Sequence, residues 1–184
     1  PGQPARLGLA SGWLSEHAPL GGTVLLRLVE NPSFAPHDNP ALPAIFLGNG
    51  SGYAGLRGHL LDRIAKGRND NWLIFGERQR AHDGYAEAEA RQWLAQGHLR
   101  RADFVYSRDP QAQGGSAPQL RYVQHVVRAQ AGAMREWLER GAVLYLCGSF
   151  QGMASDVDAV LTEMLGAAAM EELAASGRYR RDVY

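Results

Sequence analysis

The sequence predicts an α/β fold, a doubly wound parallel five-stranded sheet with helices on both faces. Three observations carry that prediction. Short apolar runs at residues 44–47, 72–75, 104–106 and 143–146 are each followed by glycine or polar residues. Such runs suit strands buried on both faces of a parallel sheet. Helical periodicity fills the gaps between them, and residues 179–183 supply a last short strand.

The first forty residues read differently from the rest. They carry Gly8, Gly12, Gly21, Gly22 and a scatter of prolines, and residues 23–30 are the one convincing strand, bounded by turn residues. Residues 31–43 form a proline-punctuated linker. Beyond the strand at 44–47, Leu56, Leu60 and Leu61 mark a helix. Ala86, Ala90, Trp93 and Leu94 mark another, closed by Gly97. Val123, Val126 and Val127, then Met134, Trp137 and Leu138, predict one long amphipathic helix. Met153, Val157, Val160, Leu161, Met164 and Leu165 fall on one face of a further helix. An open sheet of this kind binds ligands beyond the carboxyl ends of its strands.

A chain of 184 residues and 20.1 kDa fits one domain with a fragment of another. Its 45% hydrophobic and 21% charged residues build an ordinary globular core. Nineteen basic and nineteen acidic side chains cancel. There is thus no global field to attract nucleic acid or an anionic membrane, and any anion site must be local. One cysteine excludes an internal disulfide and a four-thiolate cluster supplied by this chain alone. The six histidines show no metal-ligand spacing, so no metal site is expected. No apolar run approaches the roughly 20 residues that span a bilayer. A cytoplasmic location is expected, with any membrane association left to segments outside this chain. The start at Pro1, without a signal-peptide pattern, suggests a piece of something longer.

Gly48-Asn49-Gly50-Ser51-Gly52 follows the first strand and leads into a helix. Its glycines let a ligand approach the backbone, and free N–H groups at a helix start favour an anion. The same pattern also makes a plain tight turn, and Tyr53-Ala54-Gly55 breaks the G-x-G-x-x-G spacing. Arg78 closes the second strand, where an arginine is otherwise a solvated end. Ser107-Arg108 follows the third; a hydroxyl and a guanidinium together suit a doubly charged phosphate, or belong to an ordinary loop. Cys147 ends the fourth strand, before Gly148 and the expected cap Ser149. Alone it reads as a small core residue, and with no histidine adjacent a nucleophilic role is disfavoured. The chain stops on an aromatic, Tyr184, after Asp182 and Val183.

Leu47-Gly48-Asn49-Gly50-Ser51-Gly52, Leu146-Cys147-Gly148-Ser149 and the tail Arg178-Tyr179-Arg180-Arg181-Asp182-Val183-Tyr184 occur in the order of one family. Together they resemble the pyridine-nucleotide domain of the ferredoxin–NADP reductase superfamily, especially its diflavin branch (sulfite reductase flavoprotein and relatives). The resemblance implies an NADP(H)-binding domain over residues 43–184. It implies the end of an FAD-binding domain, a remnant of an antiparallel β barrel, with its linker over residues 1–42. Gly50, Ser51 and Gly52 are implied to meet the nicotinamide end and pyrophosphate, with Ser51 in place of the family's threonine. Tyr53 and Gly55 depart from the usual small aliphatic residue and proline. Arg78 is implied near the phosphates, Ser107 and Arg108 at the 2′-phosphate, Tyr122 on the adenine and Gln124 beside it. The usual cation two positions before that tyrosine is here Leu120, with the charge next door as Arg121.

Further implications concern the chemistry. Cys147, with Gly148, is implied beside C4 of the nicotinamide in a network that includes Asp182. Tyr184 is implied to lie on the flavin where nicotinamide must dock. Gly8, Ala10 and Ser11 resemble the segment that packs on the FAD pyrophosphate, whereas the family's Arg-x-Tyr-Ser strand is not in this chain. The implied function is an NADPH-dependent flavoprotein oxidoreductase module. It passes a hydride from NADPH to FAD, and electrons then move to a flavodoxin-like domain or another one-electron acceptor. Its partners are NADPH, the missing part of the FAD domain and that acceptor. Two readings stand beside it. One is a catalytically inert NADP(H)-binding fragment, because most of the FAD site is absent. The other is an NADH-linked reductase domain, motivated by Leu120.

Overall fold

The computed structural model describes residues 8–110 and 120–184, which fall into two compact units, Pro1–Glu30 and Asn31–Tyr184. The first unit holds helix α1 (Leu9–Glu16). Residues 22–30 have no regular secondary structure, which corrects the strand expected over 23–30. Leu25, Leu26, Leu28 and Val29 are exposed there. A strand needs a neighbouring ladder to satisfy its N–H and C=O groups, and none among the described residues provides one. The antiparallel barrel remnant therefore does not appear as a sheet.

The second unit carries β1 (Ala44–Asn49), α2 (Tyr53–Ala65), β2 (Asn71–Glu77), α3 (Arg80–Asp83) and α4 (Tyr85–Ala95). It continues through β3 (Arg101–Tyr106), α5 (Val123–Ala129), α6 (Ala131–Glu139) and β4 (Val143–Gly148). It ends with α7 (Ser155–Leu165), α8 (Ala167–Ala175) and β5 (Tyr179–Val183). The five strands run in the order β3-β2-β1-β4-β5, every neighbouring pair parallel. Each apolar run read from the sequence is one of these strands.

Alternate side chains of the strands feed two cores. Ile45, Leu47, Trp72, Ile74, Leu144 and Leu146 pack against α5, α6, α7 and α8 on one face. Phe46, Leu73, Phe75, Tyr145 and Cys147 pack against α2 and α4 on the other. This is the two-sided burial that makes parallel strands read as continuous apolar runs.

The single long helix expected from Val123 to Leu138 is two helices. Helical geometry is interrupted at Gln130 (φ −106°, ψ 24°). Both pieces bury their apolar residues in the same core. Val127 and Met134 lie seven residues apart, so the spacing stays in phase across the break and hides it. The linker is also more ordered than its prolines suggest: Pro32–Phe34 forms a 3₁₀ turn. Phe34 is buried edge-on to His59 and Tyr145.

The turn after β1 lies on the end of β4. A Cβ added at Gly48 would meet the Cys147 carbonyl oxygen at 2.6 Å, and one at Gly52 would meet the Cys147 carbonyl carbon at 2.6 Å. Only glycine fits, because the obstacle is backbone. Gly52→Ala should therefore cost about 1–3 kcal/mol through overpacking. Gly58, inside α2 with open space around its Cβ position, is the control: Gly58→Ala should gain about 0.5–1 kcal/mol. Urea denaturation of both variants reads the opposite signs.

His59 shows a second consequence of this packing. Its Nε2 donates to the Phe34 carbonyl at 2.8 Å. Burial lowers its pKa, with the Phe34 carbonyl opposing in part. The unfolded chain, with an ordinary histidine near about 6.5, then takes up a proton before the folded one does. Stability is independent of this group above that pH and falls as pH drops toward the folded value. Denaturation midpoints between neutral and mildly acidic pH should show this slope, and His59→Gln should flatten it.

Candidate functional site

The sheet order reverses between β1 and β4, and the chain leaves these two strands toward opposite faces. The crevice between such divergent exits is where open α/β sheets place ligands. Here it is a cleft of about 820 Å³ beyond the carboxyl ends of the strands. The two exits are tied together: Asn49 Oδ1 accepts the Ser149 N–H at 3.1 Å. Gly148 crosses this point with φ +141°, and a side chain on it would run into Asn49. Ser149 precedes the irregular turn Phe150–Ala154. Its hydroxyl donates to the Gln151 carbonyl at 2.7 Å and does not cap an N–H, a correction to the expected role.

Gly50, Ser51, Arg78 and Ser107, from the exits of β1, β2 and β3, line this cleft with Tyr122 and Gln124 at the start of α5, and so does Tyr184. Gly52 lies beneath the turn, packed on β4. Arg108 follows Ser107 and is exposed; its N–H donates to the Arg78 carbonyl at 2.8 Å, which links the ends of β2 and β3. Gly8, Ala10 and Ser11 belong to the first unit, at the cap and opening turn of α1.

The polar lining is mixed in sign. Arg78 and Arg121 face the cleft with Glu77, Asp83 and Asp156. Neither arginine forms an ion pair among the described residues. Burial raises the Glu77 pKa, and the Asp83 charge adds to it. Gln124 Nε2 donates to Asp156 Oδ2 at 2.9 Å, which leaves Gln124 Oε1 buried without a partner among the described residues. Arg121 and Asp156 were not among the predicted site residues. The first-turn acid of α7 reads in sequence as an ordinary partner of the helix dipole.

A second group sits at the β4 and β5 ends. Register places Gly48 beside Cys147 and Cys147 beside Asp182. Cys147 is 2% exposed, and its S–H donates to Asp182 Oδ2 at 3.9 Å. Burial pushes the thiol up to about 11, helped by the Asp182 charge and that contact. At neutral pH the sulfur is a protonated donor, not a nucleophile. Tyr184 extends the β5 ladder: its N–H donates to the Gly148 carbonyl, and its carbonyl accepts from Phe150. The ring reaches back across the cleft, so that its hydroxyl and Ser51 Oγ are hydrogen-bonded at 2.6 Å. It remains 62% exposed.

No family model matches the chain. It is 35% identical to the sulfite reductase (NADPH) flavoprotein alpha-component of Neisseria meningitidis, over 98% of this chain and 30% of the relative. The protein of the same description from Mannheimia succiniciproducens is 34% identical over 98% of the chain and 31% of the relative. That from Yersinia enterocolitica is 34% identical over 100% of the chain and 31% of the relative. The chain thus spans about 30% of the length of these curated relatives. Along nearly its whole length, then, the chain that folds into this parallel sheet is similar to one stretch of the sulfite reductase (NADPH) flavoprotein alpha-components.

Proposed function

We propose that the second unit binds NADP(H) in the cleft between the β1 and β4 exits, as the nucleotide module of an NADPH-dependent flavoprotein reductase. The observation that carries this reading is the cleft itself, which gathers Gly50, Ser51, Arg78, Arg121, Tyr122 and Tyr184 beyond the strand ends. Arg78 and Arg121 form no ion pair among the described residues, and strand register sets Cys147 and Asp182 side by side next to this turn. The similarity to NADPH flavoprotein components agrees with this reading.

Each residue has a definable task in this reading. Gly50, Ser51 and Gly52 bring bare backbone and a hydroxyl to the pyrophosphate, and Arg78 adds charge. Ser107 and Arg108 hold the 2′-phosphate, with Arg121 supplying the cation that Leu120 lacks. Tyr122, half-exposed at the cleft edge, stacks on the adenine. Gln124 Oε1 accepts from a ligand hydroxyl or amine, which satisfies a group buried without a partner among the described residues. Gly148 keeps the β4 exit narrow. Gly8, Ala10 and Ser11 in the first unit serve the FAD pyrophosphate.

When bound, NADPH supplies a hydride to the flavin, and that chemistry is the cofactors' own. Cys147 and Asp182 exclude water, present a donor and fix an anion where positive charge develops on the reacting ring. Tyr184 covers the same ground while its hydroxyl is bonded to Ser51, so it must release that bond to admit the ring. A flavin held by the parent protein would then supply one-electron transfer to a flavodoxin-like or other acceptor. The presence of Arg121 in the cleft favours NADPH over an NADH-linked reductase.

Equilibrium titration of the chain with NADPH, NADH and FAD tests the proposal. NADP(H) should bind, and the chain should purify without stoichiometric FAD. Arg108→Ala should weaken NADPH about ten- to a hundredfold, the worth of a charge-assisted contact to phosphate, and leave NADH nearly unchanged. Equal loss for both nucleotides would remove Arg108 from the 2′-phosphate site.

A further inference from the structure

Asp182 is held from a side the sheet does not provide. Asn31 Nδ2 donates to Asp182 Oδ1 at 3.0 Å, while the other carboxylate oxygen accepts from Cys147. Ser33 Oγ donates in turn to Asn31 Oδ1 at 2.6 Å. Two acceptors cannot face each other, so the Asn31 amide must turn its N–H₂ toward the carboxylate and its oxygen toward the serine.

The base beneath these side chains is fixed. Asn31 and Ser33 flank the start of the turn Pro32–Phe34, and Phe34 is buried in the core shared with α2. Arg180 Nη1 donates to the Pro32 carbonyl at 3.1 Å, which joins the turn to β5. By contrast, Asp182 stands on an edge strand, and the sulfur contact at 3.9 Å is weak. A charge-assisted N–H to carboxylate bond is the stronger of the two restraints.

We propose that Asn31 is a positioning residue: its amide, oriented by Ser33, holds the Asp182 carboxylate in the rotamer that accepts the Cys147 S–H. Its catalytic meaning rests on the reading of Cys147 and Asp182 as the flank of the hydride site. The contact chain itself does not.

The test uses the infrared S–H stretching band. The chain has one cysteine, so the band reports Cys147 alone, and a hydrogen-bonded thiol absorbs at lower frequency than a free one. Asp182→Ala should move the band to higher frequency. Asn31→Ala should move it most of the way to that position, and Ser33→Ala part of the way. Both residues are exposed, so neither substitution removes core packing. A band unmoved in Asn31→Ala but shifted in Asp182→Ala overturns the proposal, because the acid then holds its place unaided. A band unmoved in Asp182→Ala also overturns it, because the acceptor is then something else. NADPH titration of the unmodified chain decides the nucleotide reading separately: no binding sinks that reading and leaves the band assignments standing.

Discussion

The arrangement of this unit depends on one backbone contact, the seating of the β1 turn on the Cys147 carbonyl at the end of β4. Gly48 and Gly52 allow it because neither carries a Cβ. Once the two strand ends are that close, Asn49 can reach the Ser149 N–H, and Gly148 is forced into a conformation that side chains resist. The cleft mouth, the thiol and the turn are therefore one object. Displacing any of them moves the others, since packed interiors deform in discrete steps rather than smoothly.

How far the sequence foretold this follows from which constraints are local. Strands β1 to β4 were readable because burial on both faces writes itself into consecutive residues. The Gly50–Gly52 turn was readable because close approach demands glycine at the position itself. Residues 23–30 carry the same apolar signature, yet no strand forms, because a pattern records which side chains tolerate a sheet, not whether a neighbour exists to complete the ladder. The break at Gln130 escaped because Val127 and Met134 stay in phase across it.

The candidate site divides in the same way. Ser51, Arg78, Ser107, Tyr122 and Gln124 sit directly after strands or at a helix start, so topology alone gathers them. Asn31 does not. It meets Asp182 across 151 residues, and nothing around either residue marks it as half of a pair. Likewise the bond between Ser51 and Tyr184 spans 133 residues and exists only because β5 ends beside the turn. Polar contacts of that range are products of the completed fold, and a sequence pattern carries no trace of them.

Strand β5 is an edge strand, paired only to β4, and edges exchange their amide hydrogens more readily than the central ladder. Asp182 and Tyr184 ride on that edge, whereas Cys147 and the β1 turn belong to the protected centre. A local opening of β5 would withdraw the acid and the aromatic ring together and leave the Gly50–Gly52 turn intact. Such an opening would leave the β1 turn in place while removing the side chains nearest the thiol.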